Sequence, residues 1–510
     1  MFRDLIAETV AAGGKRTAVI DDLGAVTYRA LDAWSGLLAR DLAPACGNDA
    51  RARVAMMLLP NSAAWFAAYL GTLRSGMQCA PLNWQSTDAE VMRAIEQTLP
   101  AVVLAAPERA DAVQALCARL GTASRVQVLT VPLDHPQGLA DEADSVPPTG
   151  LERSAGPQDT CLLIHTSGTT GTCRAMVQTE QALHLTIGQW RTRFRTDVDV
   201  VAVPIPSSHS YGHLIAASTL LAQGTILVSA QRFDPHRWLA AIAGHRATVL
   251  EGVPAMFARL LEALSDPGAA DAGLELELKL CLSAGQQASR SLRERWHTAV
   301  GVPLRQSWGM TELAGAGLAP LEHSCPDSVG VPVPGLEVRI VDPATGEPVP
   351  RGATGELRVR GAQVSPGQQV GSWQRARIAN EQGWLHTRDL AACDEHGCHR
   401  IVGRSKDAIM TNGYTVQPAE VEEALRTHPY VCDAVVVGRA DERRGEAVHA
   451  VVVLQPDSPL ESEHLLEHCR GLLARYKVPR TVEFVARLPL NATGKVDRAA
   501  LTGAANGTRV

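Results

Sequence analysis

The stretch Thr160-Cys161-Leu162-Leu163-Ile164, with the segment Thr166-Ser167-Gly168-Thr169-Thr170-Gly171-Thr172-Cys173-Arg174 just behind it, limits this chain more than any other. The apolar run predicts a short buried strand. It stops abruptly in hydroxyls and glycines. Glycine lets a backbone turn through φ > 0 and lets a ligand approach closely. Successive backbone N–H groups in such a turn form an anion-binding concavity. Five hydroxyls add donors, and Arg174 adds a permanent positive charge. These are the parts needed to hold a polyphosphate. A flexible Ser/Thr/Gly linker is the bland alternative, but linkers seldom sit directly behind a buried strand. The P-loop pattern fails, because Cys173 stands five residues after Gly168 and no Lys-Ser or Lys-Thr follows. The dinucleotide pattern G-x-G-x-x-G fails as well, since Gly315-Ala316-Gly317 runs into Leu, Ala and Pro320.

At 510 residues the chain exceeds one ordinary core, so two or more domains are expected. Up to about residue 310, strand-like and helix-like stretches alternate. Val54–Leu59, Val102–Leu104, Val126–Thr130, Val200–Pro204, Ile226–Ser229, Thr248–Glu251, Lys279–Ser283 and Leu304–Trp308 read as strands. Helical spacing recurs around Trp65, Tyr69 and Leu73, and over Ala110–Leu120, Pro235–His245 and Pro254–Leu264. This alternation predicts parallel sheets covered on both faces, arranged as two similar packed βα units. From about Val329 short strands and Pro/Gly turns predict a small antiparallel β unit. The last ~100 residues read as a compact α+β unit, a usual size for a separate small domain.

Net charge is −6 with acids and bases well mixed, which gives no reason to expect nucleic acid or an anionic membrane as partner. No 18-residue apolar run predicts a membrane span, and the opening Met-Phe-Arg-Asp-Leu-Ile-Ala-Glu does not read as a signal peptide. Eleven scattered cysteines fit free thiols in a reducing compartment, so a cytoplasmic location is expected.

The Thr166–Arg174 segment resembles the phosphate loop of the adenylate-forming superfamily: acyl-CoA synthetases, carrier-loading adenylation domains and luciferases. The usual pattern is T-S-G-T-T-G-x-P-K-G; here Cys173, Arg174 and Ala175 close it, so the charge is kept and the Pro and Gly are not. Further segments follow in the superfamily's order, nearly to the C-terminus. Pro206-Ser207-Ser208-His209-Ser210-Tyr211-Gly212 is similar to the aromatic acyl-site motif. Ser283-Ala284-Gly285-Gln286-Gln287 is similar to the adenine-side segment, and Ser307-Trp308-Gly309-Met310-Thr311-Glu312 to Y-G-x-T-E. Gly383-Trp384-Leu385-His386-Thr387-Arg388-Asp389 is similar to G-W-x-x-T-G-D, with Arg388 in place of a glycine, which predicts a different local turn. Ile401-Val402-Gly403-Arg404, Lys406, Thr411-Asn412-Gly413-Tyr414 and Asn491-Ala492-Thr493-Gly494-Lys495 complete the series.

The resemblance implies a large domain over 1–403, a hinge over 404–407 with Lys406 as pivot, and a small mobile C-terminal domain over 408–510. It implies that Thr166, Ser167, Gly168, Thr169, Thr170, Gly171, Arg174, Gly285, Gln286, Trp308, Gly309, Asp389 and Arg404 hold ATP and then AMP. Thr311 would contact phosphate and Glu312 would hold Mg²⁺. His209, Tyr211, Gly212, Met310 and Gly315 would border the acyl site, Gly413 and Tyr414 the thiol tunnel, and Lys495 would be the catalytic lysine. The implied reaction joins a carboxylic acid to ATP as acyl-AMP, releases pyrophosphate, and passes the acyl group to CoA. Amino-acid-activating members carry an Asp where Ser210 stands here, so an α-amino acid is disfavoured: a buried ammonium without a carboxylate costs ~3–5 kcal/mol. A neutral aliphatic or aromatic acid fits better. Two alternatives stand beside this one: loading of a separate carrier protein, and an inactive binding protein on the same fold.

Overall fold

In the computed structural model the described residues are 1–46, 53–122, 125–136, 156–167, 173–266, 274–321, 327–370, 374–404, 407–411, 414–441, 445–456, 458–491 and 495–502. Two large sheets form the N-terminal domain. The first has eight strands in the order Gln374–Ala376, Gln368–Val370, Cys173–Thr179, Thr160–Ser167, Gln78–Pro81, Val54–Leu58, Val102–Ala105 and Gln127–Thr130. The second has seven: Leu304–Gln306, Leu280–Ser283, Val249–Gly252, Val200–Ala202, Thr225–Leu227, Thr17–Asp21 and Gly24–Thr27. Helices Glu180–Phe194 and Ser210–Leu221 pack on each other, and one apolar core joins residues of both sheets, from Val19 and Val201 to Met57, Leu104 and Ile164.

The expected βα alternation is present, with differences that have physical causes. The apolar run does not end at Ile164. The strand continues to Ser167, and Cys173–Thr179 returns antiparallel beside it, with Thr166 opposite Arg174 and Ser167 opposite Cys173. The sheet is therefore mixed, not purely parallel. Strands Thr17–Asp21 and Gly24–Thr27 form one edge of the second sheet, where Val19 lies opposite Ile226. A helix at Phe2–Ala12 belongs to neither expectation. Phe2, Ile6 and Val10, four residues apart, are each fully buried. Each contributes about 1.5–3 kcal/mol of apolar burial. Arg3 of this helix forms a buried ion pair with Glu180.

A four-stranded antiparallel sheet follows, in the order Glu337–Val341, Gly355–Arg360, Leu385–Cys393 and His399–Arg404. The small C-terminal domain has its own core, built from Ile409, Val421, Leu425, Val436, Ala450, Leu465 and Cys469 among others. Its sheet runs Tyr414–Val416, Ile409–Thr411, Gly445–Leu454, Val431–Asp441, with Thr481–Phe484 beside Gly445–Leu454. No helix of the described residues is long and apolar enough to cross a membrane.

Candidate active site

The second sheet explains where a ligand can sit. Val200–Ala202, Val249–Gly252, Leu280–Ser283 and Leu304–Gln306 are neighbouring parallel strands. Just past their carboxyl ends come Ile205, Val253, Gly285 and Trp308. Crevices outside the carboxyl ends of parallel strands are the usual ligand sites of such sheets. A cavity of about 20 Å³ lies here, lined by Ile205, Pro206, His209, Tyr211, Val253, Gly285 and Lys495. That is room for about one water.

Lys495 reaches this cavity from the small domain. Its backbone is pinned: Asn491 N–H donates to the Lys495 carbonyl at 2.7 Å, Lys495 N–H to Asn491 Oδ1 at 3.0 Å, and Asp497 N–H to the Pro489 carbonyl at 2.8 Å. Arg498 anchors the following helix, donating to the Val436 carbonyl at 2.6 Å and pairing with Glu422 at 2.5 Å. Gly285 has φ +84°, and a Cβ there would stand 2.9 Å from Lys495 Cε and 3.1 Å from Nζ. Only glycine leaves the lysine its place. Burial, and then the Arg404 charge, lower the lysine to about 8. Its ammonium makes no ion pair with a described residue, so an anionic ligand would relieve it.

His209 caps helix Ser210–Leu221, its Nδ1 accepting from Tyr211 N–H at 3.4 Å. Burial, and then the Lys495 charge, push it down to about 3, so the ring is neutral and keeps its other nitrogen for the cavity. Ser210 and Thr311 hydroxyls lie 3.1 Å apart, and the Thr311 carbonyl accepts from the Gln178 amide. This ties the Trp308–Glu312 segment to helix Ser210–Leu221 and to strand Cys173–Thr179.

Asp389 lies opposite Arg404 in the antiparallel sheet and is 2% exposed. Its Oδ1 accepts from Arg404 Nε at 2.7 Å and its Oδ2 from Trp308 Nε1 at 2.8 Å. Two of the four lone-pair positions of a carboxylate remain for a ligand. The Trp308 indole is buried, with Gly317 against it so closely that a Cβ there would stand 2.5 Å from the ring. Burial raises the Glu312 carboxyl; Arg404 and Arg174 lower it and Asp389 raises it. A divalent cation would favour its ionised form in the same way as those arginines, so this carboxylate fits a hard cation.

Arg388 lies within strand Leu385–Cys393, where the register against Gly355–Arg360 shifts. It holds φ +63°, the left-handed conformation a glycine adopts freely. An Arg backbone pays about 1 kcal/mol there. Gln286 lies half-buried beside Gly285. Of the residues expected at the acyl site, His209 and Tyr211 line the cavity. Gly212, Met310 and Gly315 do not: Gly212 and Gly315 serve close backbone approach, where a Cβ would meet the Pro206 carbonyl at 2.2 Å and the Ser210 carbonyl at 2.8 Å. Gly309 likewise faces the Gly315 carbonyl, at 2.0 Å from a would-be Cβ. Met310 packs against the main core. Sequence reasoning missed Ile205 and Val253; their place just past parallel strand ends is the signal that finds them. Gly168, Thr169, Thr170, Gly171, Lys406 and Gly413 lie outside the described residues, as do the side chains of Thr166, Ser167 and Tyr414.

Comparison with known proteins agrees with this arrangement. Residues 6–367 match the model of the AMP-binding enzyme family, and residues 420–495 match its C-terminal domain. A feruloyl-CoA synthase from Amycolatopsis is 34% identical over 492 residues, covering 94% of each chain. The ATP-bound structure of MatB from Rhodopseudomonas palustris superposes with a TM-score of 0.86 at 28% identity, covering 98% of both chains. A benzoate CoA ligase from Burkholderia xenovorans gives 0.83 at 25% identity, covering 98% of this chain and 99% of that one. With family models spanning both domains and a relative of this identity along nearly the whole length, Lys495 and the Asp389–Arg404 pair sit in a chain that belongs to the AMP-binding enzymes.

Proposed function

We propose that this protein is an ATP-dependent acid–CoA ligase that works through an acyl adenylate. The observation that carries this reading is the Lys495 ammonium, drawn into the same cavity as His209 and Gly285 and making no ion pair with a described residue. A carboxylate oxygen attacks the α-phosphorus of ATP in line, forming the acyl–phosphate bond while the bond to pyrophosphate breaks. Two anions must meet, so catalysis is chiefly positioning and charge neutralisation. Lys495 bridges the carboxylate and the α-phosphate. Neutral His209 closes the carboxylate side. Asp389 takes the ribose hydroxyls, held in place by Arg404 and Trp308. Thr311 and Arg174 face the phosphates. Mg²⁺ held by Glu312 would offset the charge of the departing pyrophosphate.

The second step needs Lys495 out of the way. The small domain turns about the 404–407 hinge, and a thiol then attacks the acyl carbonyl with AMP leaving. Hinge closure is a common way to exchange catalytic groups. CoA is the favoured acceptor, because feruloyl-CoA synthase and benzoate CoA ligase are among the relatives. A carrier-protein phosphopantetheine is the alternative acceptor. The placement of Lys495 argues against an inactive binding protein.

The test is ATP–pyrophosphate exchange against fatty, aryl, dicarboxylic and amino acids, with Mg²⁺ and no thiol. Exchange with one class establishes adenylation and names that class, and adding CoA or a carrier protein then identifies the acceptor. Silence with every acid would overturn the proposal.

A further inference from the structure

Behind the cavity lies a buried ion pair that adenylation does not use. Glu251 stands in strand Val249–Gly252, two residues before the cavity-lining Val253, and is 0% exposed. One of its carboxylate oxygens accepts from the Tyr211 hydroxyl at 2.9 Å. The other receives the Arg195 guanidinium and, at 3.4 Å, the Trp190 indole N–H. Arg195 also donates from Nε to Thr219 Oγ1 at 3.1 Å and from Nη1 to the Phe194 carbonyl at 2.9 Å. Tyr211 links the two places: its ring lines the cavity while its hydroxyl faces Glu251.

The charges available to a substrate in the cavity are therefore uneven. His209 and Lys495 serve the reacting carboxylate. Among the described residues, the rest of the lining is Ile205, Pro206, Val253, Gly285 and Tyr211, none of them a cation. The nearby cation Arg195 is already committed to Glu251. A second carboxylate on the substrate would meet an apolar wall with an anion behind it. Unpaired charge is an effective means of rejecting a wrong ligand.

We propose that Glu251 is a specificity-determining residue: by holding Tyr211 as cavity wall and neutralising Arg195, it makes the site accept apolar monocarboxylic acids and reject dicarboxylic acids of the same length. This rests on reading the cavity, which as it stands has room for about one water, as part of the acyl site. Glu251 acts through Tyr211 and Arg195 and is a positioning residue.

The experiment measures ATP–pyrophosphate exchange with matched acids: butanoate and succinate, hexanoate and adipate, benzoate and terephthalate. For the pair whose monoacid works best, the wild type should favour that monoacid by about 100-fold or more in kcat/KM, as expected for a buried charge left unpaired. Glu251→Gln keeps an acceptor for Tyr211 and releases the Arg195 charge. Its diacid kcat/KM should rise about tenfold in absolute terms, a gain that a damaged fold cannot produce. The double variant Arg195→Met with Glu251→Leu removes both charges at similar volume and should still reject the diacid. A wild type that uses the diacid within about threefold of the monoacid overturns the proposal without any variant. So does a folded, active Glu251→Gln with an unchanged ratio. If Glu251→Gln does not fold, the double variant decides: diacid use there overturns the role of Arg195, and continued rejection supports it. Silence of the wild type with every acid would sink the acyl-site reading and this inference together, a result distinct from an unchanged ratio.

Discussion

The two sides of the cleft are built on opposite plans. On the large domain, Asp389 is clamped on both oxygens, by Arg404 at 2.7 Å and by Trp308 at 2.8 Å. The three groups come from strand Leu385–Cys393, strand His399–Arg404 and the segment after Leu304–Gln306, so the clamp is set by the folded sheet itself. On the small domain, Lys495 has a firmly pinned backbone and an ammonium that makes no ion pair with a described residue, only the more distant charge of Asp389 favouring it. One side is satisfied before any ligand arrives; the other is completed by the ligand. A preformed ribose clamp suits a group needed throughout the reaction. A lysine carried on a separate domain suits a group needed for one step only.

The sharpest way to break this comparison is Lys495→Ala. Adenylation, read as ATP–pyrophosphate exchange, should fall about 100- to 1,000-fold, the usual loss when one transition-state donor is removed. Thioester formation from supplied acyl adenylate should be spared. Equal loss of both half-reactions would show that the lysine serves the fold rather than the first step.

Asp389→Asn attacks the other side. Asn can still accept from Trp308 but no longer pairs with Arg404, and hydrogen bonds to charged groups contribute about 1.5–3 kcal/mol. The KM for ATP should rise about ten- to hundredfold, with half-reactions affected alike. An unchanged KM would remove Asp389 from the nucleotide site.

The lysine also predicts a pH dependence. Its folded value is lowered from the ordinary 10.5 to about 8, so the charged form that catalysis needs disappears as pH rises through about 8. The kcat/KM for ATP, which reports the free enzyme, should fall about tenfold per pH unit above that point. Lys495→Arg stays charged and should show a flat profile at lower activity. Stability runs the other way: the penalty for burying the charge is complete below about 8 and fades towards 10.5, so the protein gains stability across that window. A wild-type profile that stays flat to pH 10 would contradict the buried placement.

Gly285→Ala tests the same placement sterically. At φ +84°, with a Cβ 2.9 Å from Lys495 Cε, the substitution should slow adenylation about tenfold while sparing the thiol step. The smallest effect is expected from Arg388→Gly. It relieves about 1 kcal/mol of left-handed strain and loosens the unfolded chain by a similar amount, so the urea midpoint should barely move. A large loss of stability would mean that the Arg388 side chain, not its backbone, holds the strand there.

Much of the fold was legible because it is local. A short apolar run marks strands buried on both faces, such as Val102–Ala105, and a period of 3.6 marks helices with one buried face, such as Pro254–Leu264. Motif order placed Asp389, Arg404, Glu312 and Lys495 within one family, since side-chain chemistry at fixed spacing survives in the chain itself. Motif order named Asp389, Arg404 and Lys495 but not the groups that hold them, such as Trp308 on Asp389.

The remaining features depend on residues far apart in the chain. No local pattern says that Thr17–Asp21 pairs with Thr225–Leu227, because such pairing depends on what both strands can bury together. Nothing near Glu251 in the chain announces Arg195, Trp190 or Tyr211, which arrive from two helices and the end of one of them. Nor could Trp308 be read as a donor to Asp389, since an indole N–H finds its partner only after burial denies it water. The local pattern of the chain carried most of the elements and the family, though not the helix Phe2–Ala12. Folding decided which buried polar groups satisfy one another, because that cost exists only once water is gone.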